Sequence, residues 1–119
     1  MLTKPEELRN RTKHFALRVI RLFRSLPKAP EAQIIGKQLL RSGTSIAANY
    51  RAVCRARSKA EFTAKLGIVV EEADESVFWL ELLTDAGIIS QDRIEELKKE
   101  AAELTALFAA AQRTARGKN

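Results

Sequence analysis

The sequence predicts an all-α protein, an antiparallel up-down-up-down four-helix bundle forming one domain over residues 1–119. Three observations lead there. The composition is poor in Gly (5), Pro (3) and aromatic residues (6%), and rich in residues that favour helices. Apolar residues recur at alternating spacings of three and four in four separate stretches. Turn signals fall between those stretches, at Leu26-Pro27-Lys28-Ala29-Pro30, at Arg57-Ser58-Lys59-Ala60-Glu61 and at Asp85-Ala86-Gly87-Ile88-Ile89-Ser90. Helices are expected over about residues 4–26, 31–57, 59–86 and 91–113.

The first helix opens on Thr3-x-x-Glu6, a capping box, with Pro5 in the first turn where its missing N–H costs nothing. Its seam is Leu8, Thr12, Phe15, Val19, Leu22 and Leu26. The second helix carries Ile35, Leu39, Ser42, Ile46, Asn49 and Val53. Two seam positions here are polar, within a row Gln38, Ser42, Ser45 and Asn49. Bonds across the bundle or to helix carbonyls would satisfy them and fix register. Gly43 here and Gly67 in the third helix mark close helix packing.

The third helix starts at a second capping box, Ser58-x-x-Glu61, and its seam is Phe62, Leu66, Val69, Ala73, Ser76, Leu80 and Leu83. Gly87 suits the left-handed position that ends it. The fourth helix follows Ser90, with Asp92 at the positive end of the helix dipole. Its seam is Ile94, Leu97, Ala101, Leu104, Phe108 and Ala111, and a frayed tail is expected from Ala115. Seams of this period pack helices nearly antiparallel when connections are short.

The third helix has more apolar surface than one seam needs. A second stripe runs through Ile68, Glu72, Glu75, Trp79 and Leu82, with Val70 and Phe78 beside it. A wide core contact with two neighbours is one reading; a subunit interface anchored by Trp79 is the other. Ile34, Tyr50 and Phe23 add apolar surface outside the seams of the other helices, so a homo-oligomer is expected. Two carboxylates on an apolar face need partners, and Arg41 and Arg51 are the candidates.

Several chemistries are excluded. One Cys allows no internal disulfide and no thiolate zinc site, and one His allows no histidine-rich metal centre. Glu72 and Glu75 lack the histidine that a di-iron helix pair requires. No His or suitably spaced Lys stands near Ser42 or Ser45 in the sequence, and the glycines form no phosphate loop. No catalytic residue, metal or cofactor is therefore expected. The opening residues have no signal-peptide core and no apolar run reaches membrane length, so a cytoplasmic protein is expected, consistent with a free Cys54.

The net charge of +6 is unevenly spread. Residues 1–60 hold 14 Lys and Arg against three acids, whereas residues 61–119 hold 7 against 12. Arg18 and Arg21 continue a row from Arg11 on the first helix, and Arg51, Arg55, Arg57 and Lys59 close the second. Antiparallel packing makes one end of the bundle basic. Arg18, Arg21, Arg51, Arg55, Arg57 and Lys59 are therefore the candidate contacts for RNA or DNA phosphates, without sequence readout. The alternative is a scaffold that binds another protein and spends its arginines on internal pairs.

The stretch Phe15-Ala16-Leu17-Arg18-Val19, the run Gln38-Leu39-Leu40-Arg41-Ser42-Gly43-Thr44-Ser45-Ile46-Ala47-Ala48-Asn49 and the segment Glu72-Ala73-Asp74-Glu75-Ser76…Trp79-Leu80-Glu81-Leu82-Leu83 carry a resemblance. Over about residues 12–110 the chain resembles the bacterial proteins encoded within 23S rRNA intervening sequences. Many members follow the Asn with a Glu-Gly pair that ends the second helix; Ala52 and Val53 stand there in this chain, so that helix is expected to run on to Arg57. The resemblance implies a four-helix bundle assembled as a ring-like homopentamer, with no enzymatic activity. The chain is also similar to the accessory protein of diversity-generating retroelements, which implies binding to nucleic acid and to a protein partner.

Overall fold

A computed structural model describes residues 5–117. It contains four helices in chain order: α1 (Pro5–Arg24), α2 (Pro30–Cys54), α3 (Lys59–Asp85) and α4 (Gln91–Gly117). The described body measures 48 × 21 × 20 Å. A 27-residue helix is about 40 Å long, so all four lie along the long axis. The connections are too short to run back along a helix, and consecutive helices alternate in direction.

Side-chain contacts show the alternation. Gly36 of α2 lies under Phe23 and Leu26, while Gly43 lies under Val19. Arg11 of α1 reaches Glu100 of α4, whereas Ser25, just beyond the far end of α1, accepts from Arg93 at the start of α4. Ser42 meets Ser76 across the α2–α3 contact. The start of α1, the end of α2, the start of α3 and the end of α4 therefore share one end of the bundle.

The seams form the core. Every expected seam position of α1 and α4 is buried, as are all those of α3 except half-buried Phe62. Each large aliphatic or aromatic side chain taken from water in this way contributes about 1.5–3 kcal/mol. On α2 the buried face is rotated slightly. Ile35 and Asn49 are half-buried, and Ala32, Gly36, Gly43 and Tyr50 take the interior positions instead. Tyr50 does not add exposed apolar surface as the sequence suggests. It is fully buried, with its ring 5.3 Å from that of Phe108.

Close approach of α1 and α2 explains the rotation. A Cβ at Gly43 would stand 2.9 Å from Cγ2 of Val19, a stiff β-branched side chain. The polar seam residues are satisfied locally. The Thr12 hydroxyl donates to the Leu8 carbonyl, Ser76 to that of Glu72, and the Asn49 amide to that of Ser45.

The helix ends follow their signals, with three differences. Thr3 lies outside the described residues, and Pro30 opens α2 in its first turn. The expected extension of α2 to Arg57 does not occur. The N–H groups of Arg55 and Ala56 bond to the carbonyls of Ala52 and Val53, tightening the last turn, and the chain must then extend into Ser58 (φ −153°). The Ser58 hydroxyl accepts from the N–H of Glu61, and the Glu61 carboxylate accepts from the N–H of Arg57, so the capping box forms one residue early on its return bond. Gly87 adopts φ +73° after α3. The first helix stops at Arg24 rather than Leu26, but Leu26 is still buried, in the turn. The fourth helix continues through Gly117 instead of fraying at Ala115, because its last turns are alanine-rich and Gln112 leans on α3 at Gly67.

Candidate nucleic-acid interface

Four helix ends meet at one end of the bundle, and each brings cations there. The start of α1 supplies Arg9 and Lys13, and the end of α2 supplies Arg51 with Arg55 and Arg57 beyond it. The start of α3 supplies Lys59 and Lys65, and the end of α4 supplies Arg113 and Arg116. Glu6, Glu7 and Glu61 are the acids nearest these ends.

The six arginines and lysines picked from the sequence do not form one cluster. Arg51 stands in the groove between α1 and α2, which is lined by Arg9, Asn10, Lys13, Ala47, Ala48 and Arg51 and encloses about 380 Å³. Arg55, Arg57 and Lys59 are exposed around the following turn. Arg18 and Arg21 lie on the other flank of α1, in a hollow of about 240 Å³ shared with Arg93 and Glu96 of α4. Arg21 is about 18 Å along the helix axis from Arg9. The hollow at Arg18 and Arg21 mixes charges; among the described residues the ionisable groups of the α1–α2 groove are all cationic.

Arg11 belongs to neither cation group. Its Nε donates to Glu100 Oε2 at 2.7 Å and its Nη2 to Glu100 Oε1 and Glu103 Oε1 at 2.8 Å. That bidentate pair, chiefly the hydrogen bond that Arg11 donates to Glu100, holds the Arg11 guanidinium more firmly protonated than usual. Among the described residues, Arg9, Lys13, Arg51 and Arg55 make no salt bridge. Arg9 and Lys13 lie off the row that runs from Arg11 through Arg18 and Arg21. The signal for them was a spacing of four that places both on the flank opposite Arg11.

The α3 stripe has a different character. Ile68 and Phe78 are exposed, and Glu72, Glu75, Trp79 and Leu82 are half-buried. Arg41 bridges Glu72 and Glu75, as one of its two expected partners; Arg51 is in the α1–α2 groove and plays no part. The indole N–H of Trp79 donates to Glu75 Oε2 at 2.9 Å, and Phe78 meets Trp79 edge-on at 4.9 Å. The stripe is thus partly core cover and partly open surface. Ile34 on α2 is 65% exposed.

The Ser42 and Ser76 hydroxyls are fully buried, and His14 is exposed on α1. Among the described residues no group of three or more His, Cys, Asp or Glu is placed to hold a metal ion, and no helix is long and apolar enough to cross a membrane.

Comparison with known proteins gives a consistent frame. A family described as 23S rRNA-intervening sequence protein matches residues 6–110. Among solved structures, a Bacteroides thetaiotaomicron protein of unknown function, assigned to the S23 ribosomal protein family, superposes with a TM-score of 0.85. The two chains are 33% identical over 93% of this one and 99% of that one. No curated protein matches the chain.

Proposed function

This chain belongs to the 23S rRNA-intervening sequence protein family, and on that premise we propose that it is a non-enzymatic, oligomeric helical bundle that binds RNA or DNA through backbone phosphates, without sequence preference. The observation that carries the reading is the end of the bundle where Arg9, Lys13, Arg51 and Arg55 stand without salt-bridge partners among the described residues. Cations left unpaired at one pole attract a polyanion by counterion release and need no base contact. Among the described residues no aromatic side chain lines the α1–α2 groove, which argues against stacking of unpaired bases. The reading as a non-enzyme is supported by hydroxyls locked in the core and by a histidine placed away from them.

The reading includes assembly as a homopentamer, on the family resemblance, with the Ile68–Leu82 stripe of α3 as the seam, and residence in the cytoplasm, where an exposed free Cys54 stays reduced. Assembly would multiply the basic pole and raise avidity. A second reading, an adaptor for another protein, is favoured by one observation: Ile34, Ile68 and Phe78 are apolar and exposed.

Fluorescence anisotropy with labelled RNA and DNA oligonucleotides of unrelated sequence tests the first reading. Binding to all of them at low salt, with similar affinities, is expected. No affinity for any of them would overturn it.

A further inference from the structure

The first helix sorts its early cations by flank. Arg11 turns towards α4 and is consumed by Glu100 and Glu103. Arg9 and Lys13, two residues to either side, turn towards α2. They are one helical turn apart, about 6 Å along the axis, and Arg51 of α2 closes the same groove from the opposite wall. Asn10 contributes an amide that can donate or accept, and Ala47 and Ala48 are short enough to leave the floor open. Among the described residues no carboxylate lines this groove, whereas Glu96 lines the hollow at Arg18 and Arg21.

Resting on the proposed nucleic-acid reading, we infer that the α1–α2 groove is the seat of a backbone phosphodiester. Arg9, Lys13 and Arg51 surround one phosphate, and Asn10 donates to a phosphate or sugar oxygen. The strand then leaves towards Arg55, one turn beyond Arg51. A guanidinium presents a planar fork suited to two phosphate oxygens, and a lysine adds a point charge. The groove is open along its length, as a polymer that must enter and leave requires. The Arg18–Arg21 hollow is left out of the contact, because a phosphate there would meet the Glu96 carboxylate.

Two single substitutions that remove the same net charge test this on the full chain: Asn10→Asp inside the groove and Gln91→Glu at the opposite end. Both residues are exposed. With a labelled single-stranded RNA at low salt, Asn10→Asp is expected to weaken binding about tenfold and Gln91→Glu less than about twofold. The Arg9→Ala/Lys13→Ala variant should flatten the salt dependence by about one unit per cation removed. If Asn10→Asp lowers the melting temperature, Arg51→Gln replaces it and the same loss is expected. Equal effects of Asn10→Asp and Gln91→Glu would overturn the seat and leave the general reading standing. No binding by the unaltered chain would overturn both. So would binding to anionic lipid vesicles with none to RNA.

Discussion

The Ser42 hydroxyl lies 2.9 Å from the Ser76 hydroxyl in the middle of an apolar core, and both side chains are fully buried. Ser76 also donates to the Glu72 carbonyl and Ser42 faces that of Leu39. This polar contact joins α2 to α3 inside the core, and Arg41 with Glu72 and Glu75 joins the same two helices nearer the surface. Ser42→Ala or Ser76→Ala alone should cost about 0.5–1.5 kcal/mol, because each strands part of the other's hydrogen bonding. The double variant should cost less than the sum. Denaturant unfolding of the four proteins measures the coupling, and strict additivity would show that the pair is incidental.

Two glycines make opposite predictions. Gly43→Ala drives a methyl to 2.9 Å from Val19 Cγ2 and should destabilise by about 1–2 kcal/mol, with partial recovery on adding Val19→Ala. Gly67→Ala meets only the far end of Gln112, which can swing away, so the helix preference for Ala should dominate with a gain of up to about 1 kcal/mol. Thermal melts that moved both variants in one direction would contradict this account of the α1–α2 contact.

Tyr50 is the one tyrosine in the chain, so tyrosinate absorbance reports it alone. Burial first, and the nearby Cys54 thiol second, push its phenol above the ordinary value, and its hydroxyl has no hydrogen-bond partner among the described residues. With the folded pKa raised, the contribution is fully present below the unfolded value of about 10 and is lost as pH rises through the folded value. Stability should therefore fall above about pH 10 more steeply in the wild type than in Tyr50→Phe. At neutral pH Tyr50→Phe should be neutral or mildly stabilising. Tyrosinate absorbance appearing at the ordinary pH in the folded protein would contradict the burial.

The proposed oligomer makes its own demand. Trp79→Ala and Phe78→Ser should lower the mass seen by light scattering, as Phe78 is half exposed in the single chain and Trp79 braces it edge-on. Phe78→Ser removes little from the core and so separates assembly from folding. An unchanged mass in both variants would remove α3 from the interface.

The fold was legible because helices bury side chains at a period that short turns leave intact. Phe15, Leu66, Leu104 and their neighbours could be placed without any contact information. The misplacements come from contacts between helices. Tyr50 is drawn inward by Phe108, 58 positions later, and Gly36 and Gly43 enter the core through their lack of a side chain. The charged surface was less legible for the same reason. Arg11 looks like the start of a basic row until Glu100, 89 residues away, takes it, and Arg51 joins Arg9 and Lys13 only once α1 and α2 lie side by side.

The measurement that reaches furthest is the salt dependence of RNA binding by the wild type and by Arg51→Ala. Phosphate seating at the basic pole predicts that log K falls linearly with log salt, and that Arg51→Ala flattens the slope by about one unit. Binding that is indifferent to salt, or a slope that Arg51→Ala leaves unchanged, would contradict it.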